Sequence, residues 1–127
     1  MAKELDFDAI KAAAESHRAD MTRFLRAMIS HPSESCEEGE VVACIKAEME
    51  SLGYDEVKVD GLGNVMGFMG EGDKIIAIDS HIDTVGIGNI ENWDADPYEA
   101  TRPTRSSTAA AALTRRAAWL PLPTLPR

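Results

Sequence analysis

His81 and Asp83 stand two residues apart at the end of a short apolar run, Ile75-Ile76-Ala77-Ile78, in the stretch KIIAIDSHIDTV from Lys74 to Val85. In an extended chain, residues i and i+2 point the same way, so His81 and Asp83 share one side and Ile82 turns toward the core. A neutral imidazole is a good zinc ligand, and a carboxylate beside it can hold the other ring nitrogen or orient a second group. Asp79 has the same parity and could do the same. A plainer reading competes with this one: Asp83 and Thr84 make turn hydrogen bonds only, and His81 is a buried, satisfied histidine. Spacing alone leaves both open, because H-x-D is short and common.

The elements that must position these residues can be read in chain order. Residues 7–30 place Ile10, Ala14, His17, Met21, Phe24, Leu25 and Met28 at three- and four-residue steps, which predicts one long amphipathic helix. Asp6 or Asp8 can cap its start and Pro32 stops it. His17 reads as a boundary residue of the apolar stripe. Ser35-Cys36-Glu37-Glu38 has the form of a capping box, so a second helix is expected from there to Gly53, with Val41, Val42, Ile45, Met49 and Leu52 on its apolar face. Its acidic first turn is explained by the helix dipole. Three short strands follow, Glu56–Asp60, Asn64–Met69 and Lys74–Ile78, separated by glycine-rich turns. The third is the most apolar and is expected to be central. Residues 86–99 read as a loop anchored by Trp93, Pro97 and Tyr98. Two helices and then three strands predict an α/β or α+β layer arrangement.

Charge is spread unevenly along the 127 residues. The formal net charge is −9, yet all 22 acidic side chains fall within residues 1–100, while residues 101–127 carry arginines and no acid. An acidic body argues against nucleic acid or an anionic membrane surface as partner. No apolar run is long enough to span a bilayer, and MAKELDFD lacks the regions of a signal peptide. The expected location is the cytoplasm. Cys36 and Cys44, both expected on the second helix, would be separated by about 12 Å of rise and could not bridge. They read as small thiols in a reducing compartment.

IAIDSHIDTVGIGNIENWDADPYE resembles the first metal motif of the co-catalytic zinc aminoacylase and carboxypeptidase family, which includes acetylornithine deacetylase and succinyl-diaminopimelate desuccinylase. The likeness is nearest to the selenium-metabolism-linked hydrolases. MTRFLRAMISHPSES is similar to that family's opening helix and its I-x-x-P-S-x-S region, with His31 where an Ile often stands. GLGNVMGFMG resembles its strand before the metal motif. The resemblance covers residues 1–100 and implies the N-terminal part of a zinc-exopeptidase-like catalytic domain. It implies that His81 is a ligand of one zinc ion and that Asp83 orients His81 and tunes its basicity. It further implies two zinc ions sharing a carboxylate and a water. A later glutamate would act as general base, and a small amide or peptide-like substrate such as an N-acyl amino acid would be hydrolysed.

The pattern breaks after Ala100. The family's G-R-G-x-x-D-x-x-G-G segment, whose Asp bridges the metals, does not follow; nor do its Glu-Glu pair, its further acidic ligand and its final histidine. No His, Asp or Glu occurs in residues 101–127. One imidazole with one outer carboxylate cannot hold a catalytic zinc, which needs about three protein ligands. TRPTRSSTAAAALTRRAAWLPLPTLPR has no helical period and reads as a disordered tail. A shift of reading frame near Ala100 explains it: with third bases chosen freely, the same codons can be re-read to contain G-R-G-G-S-D-Q-E-G-G, the bridging Asp straddling Leu113 and Thr114. The expectation is therefore an inactive fragment of a two-zinc hydrolase, residues 1–100, followed by an out-of-frame tail, residues 101–127. Its strands would be left with open edges, an aggregation hazard. The contrasting expectation is a non-enzymatic small acidic interaction module whose basic Arg/Pro tail binds an acidic partner or the chain itself.

Overall fold

The computed structural model describes residues 6–99; the tail expected to be out of frame, residues 101–127, lies outside the described residues. The described chain is a mixed α/β arrangement of three α-helices, a two-stranded antiparallel sheet and one short 3-10 turn. The helices are α1 (Phe7–Ser16), α2 (Arg18–Ile29) and α3 (Gly39–Ser51). The strands are β1 (Glu56–Val59) and β2 (Val65–Phe68), and the 3-10 turn covers Ile90–Asn92.

The expected long helix over 7–30 is two helices. Neither proline nor glycine forces the break at His17, which falls where packing begins: α1 buries no residue, whereas α2 buries Phe24, Met28 and Ile29. Asp6 does cap α1, its carboxylate accepting the Ala9 N–H at 3.0 Å.

α3 starts later than the capping-box pattern predicts. Cys36 takes a left-handed conformation, φ 75°, which a helical first turn does not allow. Its N–H donates to Glu38 Oε1 at 3.0 Å, and Glu38 becomes the residue before the helix. Cys36 thus lies outside α3 and does not share a helix with Cys44; neither cysteine is in a disulfide among the described residues. At the other end the reading holds. Gly53, φ 77°, supplies the left-handed residue that closes the helix, its N–H donating to the Glu50 carbonyl at 3.1 Å.

The core sits between α2, α3 and the hairpin. Phe24 and Met28 from α2 meet Val41, Val42 and Ile45 from α3 and Val65 from β2, with Leu25, Met49, Val57 and Ile82 packed around them. Arg23 on α2 reaches Glu48 on α3 with both guanidinium branches, at 2.6 and 3.2 Å. β1 and β2 pair from Glu56↔Phe68 to Val59↔Val65, within a residue of the expected limits. Gly67 has a packing reason to be glycine. A Cβ there would lie 2.6 Å from the Tyr54 ring and 2.9 Å from Met49 Sδ.

The expected third strand, Lys74–Ile78, is not a strand and not central. Ile75 and Ile76 are 93% and 88% exposed, and the segment pairs with nothing among the described residues. An apolar run acquires strand geometry from a neighbour that takes its backbone hydrogen bonds, and among the described residues β1 and β2 pair only with each other. No helix among the described residues is long and apolar enough to cross a membrane.

Candidate metal centre

His81 and Asp83 come together as their spacing predicts. His81 Nδ1 lies 2.9 Å from Asp83 Oδ1 and 3.2 Å from the Asp83 carbonyl oxygen. An ionised carboxylate only accepts, so the shared proton sits on Nδ1, and in the neutral ring the lone pair is then on Nε2. Ile82 packs against the core between them, as the alternation requires. Asp79, with the same parity, stays exposed and outside the pair. His81 itself is exposed, so the reading of a buried, satisfied histidine is corrected: no strand covers it, because Lys74–Ile78 has no sheet around it.

What holds this segment is the connection between α2 and α3. Ser33 is fully buried at 0% exposure. Its hydroxyl donates to the Ile82 carbonyl at 3.0 Å, and its own carbonyl accepts the Thr84 N–H at 2.8 Å. Ser33 and Thr84 hydroxyls also stand 3.4 Å apart. Two residues on, Ser35 Oγ donates to Asp83 Oδ2 at 3.1 Å. The Asp83 carboxylate is therefore gripped at both oxygens. These bonds hold its carboxyl below the usual carboxylate range, His81 contributing more than Ser35.

An open cavity of about 390 Å³ lies over the pair, with Glu34, Ser35, His81, Asp83, Thr84 and Gly86 among its walls. Glu34 leans across Gly86, where an added Cβ would meet its Oε1 at 2.6 Å. The remaining loop is anchored as expected: Trp93 Nε1 donates to the Ile87 carbonyl at 2.9 Å, and Asp96 accepts the Tyr98 N–H at 2.8 Å.

Among the described residues, no three His, Cys, Asp or Glu side chains converge on a point where a metal ion could sit. The pair thus fits one ligand position of a zinc site, a histidine with its outer carboxylate, and does not fit a whole site. His17 and His31 are elsewhere. His17 joins α1 to α2, and His31 Nδ1 lies 3.4 Å from Glu40 Oε2. Sequence reasoning missed Ser33 and Ser35 as parts of the site, reading Ser35 as a helix cap. The available signal was the repeat of a hydroxyl at i and i+2 after Pro32, the same alternation that His81 and Asp83 show.

The chain is 58% identical over 99 residues to the uncharacterized protein YgeY of Escherichia coli strain K12, a match that covers 78% of this chain and 25% of that protein. The YgeY protein of Escherichia coli O157:H7 matches with the same identity and coverage. The chain spans about a quarter of the length of these curated relatives. No family model matches it, and no solved structure matches it.

Proposed function

We propose that residues 1–100 are the N-terminal part of a two-zinc amidohydrolase of the aminoacylase and carboxypeptidase kind. In this reading His81 supplies one zinc ligand and Asp83 orients it. The observation that carries the reading is the 2.9 Å contact between His81 Nδ1 and Asp83 Oδ1. It fixes the ring and its tautomer in the manner of a metal-ligating histidine with its outer carboxylate. The substrate class is an N-acyl amino acid or a small peptide-like amide, and two cysteines outside any disulfide suit a cytoplasmic protein.

Among the described residues, the side chains hold one corner of the site. Zinc, when bound in a full site, would polarise the amide carbonyl and activate water; the side chains described here do not assemble such a site. The 127 residues are therefore expected to bind zinc weakly and to leave amide substrates intact. Two observations support residues 101–127 as an out-of-frame tail. The stretch alike to the relatives is 99 residues long, close to the 100 residues that precede the change in composition. Those relatives are also about four times as long as the matched stretch.

Resequencing the coding DNA past codon 95 tests the reading. The alternative frame is expected to run on through G-R-G-G-S-D-Q-E-G-G and to supply a Glu-Glu pair and a final histidine. The protein of that frame, loaded with zinc, is expected to hydrolyse N-acyl amino acids and to lose that activity in His81→Ala. A second frame that closes at once would overturn the hydrolase reading. Zinc-dependent turnover by the 127-residue chain itself would overturn its inactivity.

A further inference from the structure

The P-S-x-S stretch after α2 has no role in the chemistry derived so far, yet it makes the contacts that fix the His81–Asp83 pair. Its two serines divide the work by alternation. Ser33 points inward, is fully buried, and fastens the backbone of Ile82 and Thr84 through its hydroxyl and carbonyl. Ser35 points outward and reaches the side chain of Asp83, not the backbone, at 3.1 Å. The left-handed turn at Cys36 moves the start of α3 to Gly39, so the Ser35 hydroxyl does not cap the helix.

We propose that Ser35 is a positioning residue for the His81–Asp83 pair: its hydroxyl holds one carboxylate oxygen of Asp83 so that the other faces His81 Nδ1 and fixes the imidazole tautomer. The geometry demands it on this side. An Asp side chain turns about two bonds, and on an exposed segment a contact from His81 alone leaves the carboxylate able to rotate away. A second bond, at the opposite oxygen, removes that freedom. The partner comes from the helical body, so the orientation of the ring is tied to packing that does not depend on residues 74–79. This role rests on the metal-ligand reading for its purpose but not for its geometry.

The test is ring-nitrogen NMR of the 127-residue chain, with Ile45 and Val65 methyl resonances as a control of the core. In the unsubstituted chain the His81 nitrogens are expected as a resolved pair, Nδ1 protonated and Nε2 not. In Ser35→Ala the pair is expected to collapse toward exchange-averaged positions, and in Ser35→Thr, which keeps a hydroxyl, to return. Nitrogen shifts unchanged in Ser35→Ala overturn the proposal. So does a loss of Ile45 and Val65 methyl dispersion, which would make Ser35 a structural residue only. Zinc added to the protein of the alternative frame separates the two ideas: a His81 Nε2 line that zinc does not move there sinks the metal reading and leaves the role of Ser35 standing.

Discussion

Phe24, Met28, Val41, Val42, Ile45 and Val65 are buried against one another; between Lys74 and Ile78 the chain leaves its apolar residues in water. Both groups are rich in aliphatic side chains. Val41 and Ile45 are 0% and 1% exposed, and Ile75 is 93% exposed. The difference lies in partners. α2, α3 and the hairpin offer one another complementary faces between Arg18 and Phe68, while the isoleucines of 75–78 pair with no strand among the described residues. Apolar content marks a segment as wanting burial, and a neighbouring element decides whether it gets it. The chemistry-bearing residues sit just past this unpaired stretch. They are held instead by Ser33 and Ser35, from the helical side.

The comparison can be broken most severely at its packed end. Ile45→Ala removes a fully buried side chain and is expected to cost about 2–5 kcal/mol. A core this small cannot absorb that loss, so far-UV circular dichroism should lose most of its helical signal. An unchanged spectrum would mean that something other than the α2–α3–hairpin core holds the body together. Gly67→Val is the next largest. The close approach of Tyr54 and Met49 leaves no room for a branched side chain, and overpacking of this kind costs about 1–3 kcal/mol. Faster amide exchange at Val57 and Met66 would register it.

A smaller effect belongs to the hairpin turn. Asp60 accepts the Asn64 side-chain N–H at 2.8 Å and the backbone N–H groups of Asn64 and Leu62, both at 2.9 Å. These bonds, the Asn64 side chain foremost, hold its carboxyl below the usual carboxylate range. The sign follows. The contribution is fully present above the unfolded carboxyl value of about 3.9 and is lost as pH falls through the lower folded value. Chemical shifts at Val59 and Val65 should therefore move at a pH below that of an ordinary aspartate. In Asp60→Ala that step should vanish. Least of all, in stability, is the double change of Ile75 and Ile76 to Lys. Both side chains are already in solvent, so the expected change is within about 0.5 kcal/mol. Light scattering should nevertheless fall, because an exposed apolar segment with open backbone groups invites self-association. A large loss of stability in this variant would show that the 74–78 segment is packed after all.

Much of this molecule is written in short-range pattern. The three- and four-residue steps gave the helices, Asp6 and Gly53 marked two of their ends, and the glycine-rich turn between Val59 and Val65 gave the hairpin. The two-residue alternation placed His81 beside Asp83 and Ile82 toward the core. These features depend on neighbours within a few residues, and a sequence records such neighbours directly. The break at His17, the exposure of Ile75 and Ile76, the burial of Ser33 and the diversion of Ser35 to Asp83 were decided only by tertiary structure. Ser35 and Asp83 are 48 residues apart, and a serine hydroxyl serves equally as helix cap or as hydrogen-bond donor to a distant carboxylate. Which it becomes depends on the turn at Cys36 and on what the fold brings within about 3 Å of its oxygen.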